Sequence, residues 1–354
     1  MVEVSAVHRS TSRTDRGSLR VAQFKPPTSG QLTSTVFLQQ AVWVAVANTD
    51  PLPQEALPGL FQAADKASLK AQSRFIYASG SRFILVVAAA ALAVASLETD
   101  TGIDLAAIGV AVLFVAAVLV EIWLLQDRPL DTWYDGRALA ESSKTLAWRY
   151  AVGGRPFAKD STNSEQHLIA DLRGLIVDSS DSAIEASGSP PVSSEMRELR
   201  EASLAKRKAA YLAWRLDDQR AWYRRKAQWN AKRVTWWRIA LISLELIGVL
   251  AALARAFGAI NFDLPGLVAA VIAVGAAWLS IKQHESLARA YKLASEEIAL
   301  AREQLAQVED EASWASGVAD AEEGISREHT MWRASRCAPS LTRRLESRET
   351  RWRP

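Results

Sequence analysis

The stretch "LAAIGVAVLFVAAVLVEIWLL", residues 105–125, decides the fold class of this chain. An α-helix needs about 20 consecutive apolar residues to cross the hydrocarbon core of a bilayer. This stretch has that length, and it contains a single charged residue, Glu121, near its end. It therefore predicts a membrane-spanning helix.

Three further apolar blocks extend the pattern. They are "FILVVAAAALAVASL" (83–97), "WWRIALISLELIGVLAALARAF" (236–257) and "LPGLVAAVIAVGAAWLSI" (264–281). Together the blocks predict four spans, at about 80–99, 103–125, 236–257 and 263–282, paired in two hairpins. The alternative is a soluble bundle of four buried helices, but the tight hairpins and the sorting of charges argue against it.

Lysine and arginine are sorted to one side of these hairpins. The hairpin loops "ETDTGID" (98–104) and "GAINFD" (258–263) contain neither residue, whereas both are frequent in 220–238. Loops rich in Lys and Arg stay in the cytoplasm. We therefore expect a multi-pass membrane protein, with both termini and the central segment cytoplasmic and both loops outside.

The sequence predicts an all-α integral membrane protein, with four transmembrane helices in two tandem hairpins and long cytosolic helices. Changes in composition divide the chain into five parts. These are a disordered basic N-terminus (1–30), a first domain (31–177), a polar linker (178–195), a second domain (196–315) and a basic flexible tail (316–354). Each domain has a charged helix, a hairpin and another cytosolic helix, which indicates an internal repeat.

The helix after the fourth span carries an apolar seam at four-three spacing. Its members are Leu287, Tyr291, Ala294, Ile298, Ala301, Leu305 and Val308. This spacing is typical of a short coiled coil. A stripe that packs on the chain's own helices has the same pattern, so the two interpretations stay open.

The chain shows none of the short motifs that mark catalytic or metal sites. It has no phosphate-binding GxxxxGK[ST] loop, no HExxH, no GxSxG and no CxxC, and its single cysteine is Cys337. We therefore expect no enzymatic activity, no cofactor and no metal. The segment "QRAWYRRKAQWNAKR" (219–233) mixes aromatic and basic residues, as nucleic-acid-binding segments do. Because it immediately precedes a span, contact with lipid headgroups is the better interpretation, and we expect no nucleic-acid partner.

Two acids and one face of small residues stand out within the spans. Glu121 and Glu245 lie in the cytoplasmic halves of the second and third spans, where an ionised side chain is costly. They predict a polar pathway through an oligomeric pore, and the alternative is a protonated or hydrogen-bonded acid at a helix contact. Small residues that allow close helix packing share one face of the fourth span: Gly266, Ala270, Ala273 and Ala277. Such packing can occur within a subunit or between subunits.

The segment "WYDGRALAESSKTLAWRYAVGGRPF" (133–157), together with "LFQAADKASLKAQSRF" (60–75) and the first hairpin, resembles the bacterial SLATT family. The name stands for SMODS and SLOG-associating two-transmembrane effector domain. The second half, from "YLAWRLDDQRAWYRRKAQWNAKR" (211–233) to "ARAYKLASEEIALAREQL", resembles a second SLATT domain. The residues that carry the resemblance in the first half are Trp133, Arg137, Glu141, Lys144, Trp148, Arg149 and Tyr150. We expect this stretch to be a membrane-proximal stem whose charged face lies in the cytosol.

The resemblance implies a membrane effector of a prokaryotic, nucleotide-signal-linked conflict or antiphage system. Such an effector perturbs the inner membrane or forms a pore in it. It implies as partners the lipid bilayer, further copies of the chain in a homo-oligomer, and a separate protein that generates or senses a nucleotide. The alternative is a non-conducting membrane-anchored scaffold whose cytosolic helices recruit a partner.

Overall fold

The computed structural model describes residues 50–95, 103–179 and 188–326, and this part of the chain is all-α. The helices are α1 (Gly59–Ala93), α2 (Leu105–Asp127), α3 (Pro129–Val152), α4 (Ser164–Asp178), α5 (Ser194–Glu201), α6 (Leu204–Ala210), α7 (Asp218–Ala256), α8 (Leu264–Lys282), α9 (His284–Ala306) and α10 (311–326). A π-helical segment, Tyr211–Asp217, joins α6 to α7. The expected disorder of 1–30 and the tail beyond 326 lie outside the described residues.

Four of these helices are long and apolar enough to cross a membrane, which confirms the predicted fold class. The spans lie in the second half of α1, in α2, in the second half of α7 and in α8. Their apolar side chains point outward; Ile84 is 70% exposed, Leu119 61% and Leu250 66%. A soluble bundle would bury these side chains, whereas lipid solvates them. The end of the predicted first span, residues 96–99, lies outside the described residues.

The two hairpins are built with the same local devices. At the start of the second helix of each hairpin, an aspartate caps the free backbone N–H groups: Asp104 accepts from Ala106 N at 2.8 Å and Asp263 from Gly266 N at 3.4 Å. At the end of that helix a single left-handed residue turns the chain into the next helix, which lies outside the spans. These residues are Arg128 (φ 44°) and Gln283 (φ 49°). The matching positions support the internal repeat.

The spans contact each other mainly in the order α2–α1–α8–α7 among the described residues. Between α1 and α8, the Phe83 and Trp278 rings meet edge to face with centroids 6.1 Å apart. Between α8 and α7, Gly275 lets Leu241 approach, since a Cβ there would lie 3.2 Å from its Cδ2. The spans therefore form an open row, with α2 and α7 at its ends.

The core outside the spans is built around α3. The first half of α1 packs on one side of α3, α5 and α6 pack on its end, and α9 packs along the first half of α7. The seam residues of α9 belong to this core, with Ile298 and Leu305 buried. The seam therefore packs on the chain's own helices, and no coiled coil is shown.

The structure places two segments differently from the domain boundaries predicted above. Residues 316–326, expected in the flexible tail, form most of α10, and Val318 and Ile325 are buried. The reason is that Trp314, Val318 and Ile325 share one helix face, which becomes part of the core. Residues 196–210, expected in the second domain, pack as α5 and α6 on α3 of the first half. Their buried side chains, such as Met196, fill the core there.

We expect Gly136→Val to weaken the contact between α1 and α3. A Cβ at Gly136 would lie 3.1 Å from the Ala64 carbonyl oxygen and 3.2 Å from Ser68 Cβ, so the larger side chain overpacks this crossing. The expected loss of stability is about 1–3 kcal/mol, seen as a lower melting temperature of the purified protein. Gly174→Val in α4, where no atom lies within 4 Å, is the matched control and should change little. Equal melting temperatures for both variants would contradict the tight crossing.

Candidate functional site

The residues that carry the family resemblance in the first half lie on α3, where three of them are buried and the other four half-buried. Trp148 is 2% exposed and Tyr150 3%, and the Glu141 carboxylate is nearly buried as well. The Glu141 side of this helix is therefore withdrawn from water, and the cytosolic location of its charged face stays a prediction. The face is covered because α1, the π-helical segment and α10 pack over it. Trp133, nearer the membrane, lies beside Phe75 with ring centroids 6.3 Å apart.

A single carboxylate, Glu322 of α10, is the centre of the buried polar contacts. It is 0% exposed and accepts four hydrogen bonds. Arg215 donates two of them, at 2.8 Å from Nε and 2.7 Å from Nη2. Tyr211 Oη donates at 3.0 Å and Thr145 Oγ1 at 2.9 Å. All the groups that make these contacts are withdrawn from water. Hydrogen bonds to a charged group are strong in such surroundings.

The π-helical segment positions two of these donors. Tyr211 and Arg215 are four residues apart, and both side chains reach the same carboxylate. Burial would lower the pKa of Arg215, but the Glu322 charge outweighs it and the pKa is raised, so the guanidinium keeps its positive charge. Burial, and then the same carboxylate, hold the pKa of Tyr211 well above its usual value, so the phenol remains a donor.

A second charged group lies beside this pair on α3. Arg137 contacts Glu141 at 2.5 Å and Asp65 of α1 at 3.3 Å. Lys144 lies over the Phe61 ring, 5.9 Å from its centroid. Burial lowers the pKa of Lys144, and the positive charge of Arg215 lowers it further. The folded protein therefore disfavours the positive charge of Lys144, whereas it favours that of Arg215.

Side chains from both halves of the chain form hydrogen bonds with the end of α3. The helix stops at Gly153, which has a left-handed φ of 76°, as expected for the "GGRPF" segment. Its last carbonyls then accept hydrogen bonds from side chains: Arg200 binds Tyr150 O at 2.9 Å, and Arg207 and Trp314 bind Val152 O at 2.7 and 2.8 Å. Arg149 in turn donates to Ala319 O of α10 at 3.2 Å. The stem is thus closed by α5, α6 and α10 together.

The two membrane acids occupy different environments. Glu121 of α2 pairs with Arg82 of α1 at 2.6 Å. Glu245 is exposed on α7 and forms no ion pair within the described part of the chain. Because α2 and α7 lie at opposite ends of the row, one subunit does not bring the two acids together.

The small residues of α8 do not form the contact with α7. Three of them, Gly266, Ala273 and Ala277, are exposed and Ala270 is half-exposed. The contact instead uses Gly275 against Leu241 and Val268 against Gly248. The face of small residues therefore lies on the surface of the chain, outside the contact between α8 and α7. Packing of this face between copies of the chain stays a prediction.

The residues that the structure describes hold no group of His, Cys, Asp and Glu side chains suited to a metal ion. Two family descriptions match the chain in tandem. The first, SMODS and SLOG-associating 2TM effector domain 3, covers residues 58–208. The second, SMODS and SLOG-associating 2TM effector domain 1, covers residues 211–332.

The chain belongs to the SLATT family. It is a tandem SLATT protein, and its two hairpins are the two-transmembrane units of the two domains. The boundary between the matches falls at the start of the π-helical segment, so the Glu322 cluster joins Thr145 of the first domain to Tyr211 and Arg215 of the second. Neither a curated protein nor a solved structure matches the chain.

We expect Glu322→Ala to destabilise the tandem SLATT protein strongly, because it leaves the Arg215 charge buried without its carboxylate. The expected cost is about 3–5 kcal/mol, measured as a fall in melting temperature. The double variant Arg215→Met with Glu322→Leu should recover much of it. Asp131→Ala is the control, since it breaks an exposed pair with Arg128 and should cost about 1 kcal/mol or less. A small effect of Glu322→Ala would show that the cluster does not hold the domains together.

We expect Lys144→Met to raise the melting temperature at neutral pH. In the folded protein the pKa of Lys144 lies below its usual 10.5, so the unfolded chain binds more protons between these two values. Stability should therefore rise with pH across that window, and Lys144→Met should remove the rise. Thermal unfolding from neutral to alkaline pH measures both effects. Lys206→Met, at an exposed lysine of α6, is the control and should change neither the melting temperature nor the slope.

Proposed function

We propose that this tandem SLATT protein is the membrane-acting component of a prokaryotic conflict or antiphage system that uses a nucleotide signal. In this proposal several copies assemble in the inner membrane and make it permeable. A separate protein generates or senses the nucleotide, and the chain itself performs no catalysis. The family description as a membrane effector associated with SMODS and SLOG supports the first part.

The observation that carries the proposal is the open row of spans. A closed four-helix bundle would bury its inner faces, whereas here the candidate spans are almost entirely exposed and α2 and α7 each have one main neighbour. Helices in lipid associate through close packing and polar contacts. The exposed small residues of α8 and the exposed Glu245 supply both kinds of surface. Copies of the row that associate side by side can enclose a pathway.

The stem supplies a means of control in this proposal. Both hairpins continue into cytosolic helices through one residue each, Arg128 and Gln283, so a movement of the stem reaches the spans directly. Segment 133–157 is part of a single core outside the spans, and we use the word stem for this whole core. The two SLATT domains share it, and the Glu322 cluster holds it together. A partner that binds this core therefore acts on both hairpins at once. Orientation of the stem towards the cytoplasm follows from the Lys and Arg residues around 220–238.

The test is leakage from proteoliposomes that contain the purified full-length protein. We expect efflux of ions or dye to increase when the right signal is added from a panel of cyclic nucleotides and ADP-ribose-type compounds, or when a signal-sensing partner is present. Protein-free liposomes with the same signals are the control. Folded protein that stays silent under every signal and partner would contradict permeabilisation and favour the scaffold, which conducts nothing.

A further inference from the structure

Glu245 is a carboxylate on the outer surface of a membrane-spanning segment. It lies seven residues beyond Arg238, which is about 10 Å deeper along the helix at 1.5 Å per residue. Arg238 pairs with Glu285 of α9 at 3.0 Å and so belongs to the cytosolic side. Glu245 lies on the flank of the α8 contact, which uses Leu241 and Gly248, and its side chain is exposed. In a lone subunit, lipid would surround this carboxylate.

Lipid is a poor environment for that group. An ionised acid at the centre of a bilayer costs on the order of 3 kcal/mol by insertion scales. In the first hairpin, an ion pair with Arg82 balances the charge of Glu121. The second hairpin provides no such cation for Glu245 among the described residues. Water and cations held between copies of the chain would satisfy the carboxylate where lipid does not.

We propose that Glu245 from several copies forms a cation-binding ring in the cytoplasmic half of the pathway. The ring rests on the proposed function, since one subunit supplies only one of its carboxylates. Its ligands are small cations, because a ring of carboxylates in a channel attracts cations and repels anions. Glu121 has no part in the ring, because its charge is balanced by Arg82 within the same subunit.

The ring is tested by the ion selectivity of the conductance in planar bilayers under a KCl gradient. The wild type should show a reversal potential on the cation-selective side. Glu245→Gln should shift it towards zero, and Glu245→Lys should move it to the anion-selective side. The matched control is the double variant Arg82→Gln with Glu121→Gln, which removes a neutral pair and should keep the wild-type selectivity.

Two outcomes separate this inference from the proposed function. A conductance that is unselective, or that Glu245→Lys leaves unchanged, would overturn the ring while the pore stands. The absence of any conductance in the wild type and in all variants would overturn both. A shift that appears only in the Arg82 and Glu121 double variant would assign the selectivity to the first hairpin and would also overturn the ring.

Labelling of an introduced cysteine is a second test of the ring, and it does not depend on the ion selectivity of the assembled variants. In a Cys337→Ser background, Glu245→Cys should react with a charged, membrane-impermeant thiol reagent, because thiols react as thiolates and these form in water. Ile247→Cys is the control, since Ile247 is 48% exposed but lies on the other side of α7. It should stay unmodified in lipid. Protection of both cysteines would show that Glu245 faces lipid or a dry helix contact, and would overturn the ring.

Discussion

The ion pair between Glu322 and Arg215 is the interaction on which the architecture outside the spans depends. A buried carboxylate is tolerated only when its charge is matched and its lone pairs are occupied. Here Arg215, Tyr211 and Thr145 meet that condition from two different domains. A buried pair of this kind adds less to stability than apolar packing would, but it specifies which surfaces meet. It thereby places α10 against α3 and makes one stem of two SLATT domains.

The stem and the membrane layer obey different physical constraints. In the stem, water drives side chains such as Trp148 and Trp314 into a common core, so the helices enclose each other. In the membrane, lipid solvates apolar side chains as well as protein does, and no such force closes the row of spans. An open row next to a closed stem is the result. The chain therefore leaves most of the surface of its spans open and encloses the core of its stem.

The charged residues of α3 show where the sequence was informative and where it was not. The spacing of 133–150 indicates a helix next to a span, but charges normally indicate a solvated face. The partners that reverse this inference are far away in the chain, as Glu322 is from Thr145. A signal for α10 did exist, since Trp314, Val318 and Ile325 have helical spacing, but the basic residues that follow obscured it. No local pattern indicates that Glu121 is paired and Glu245 is not.

The sequence by itself determined the class of protein, the four spans and the tandem SLATT organisation. Each of these follows from length, hydropathy and local motifs, which act over one helix at a time. Only the tertiary structure decided the order of the spans, the burial of the α3 motif and the different environments of the two membrane acids. These properties depend on contacts between residues distant in the chain. The physical reason is that the energy of a buried charge depends on the groups that surround it in the fold. Those groups are distant in the chain, so the local sequence does not identify them.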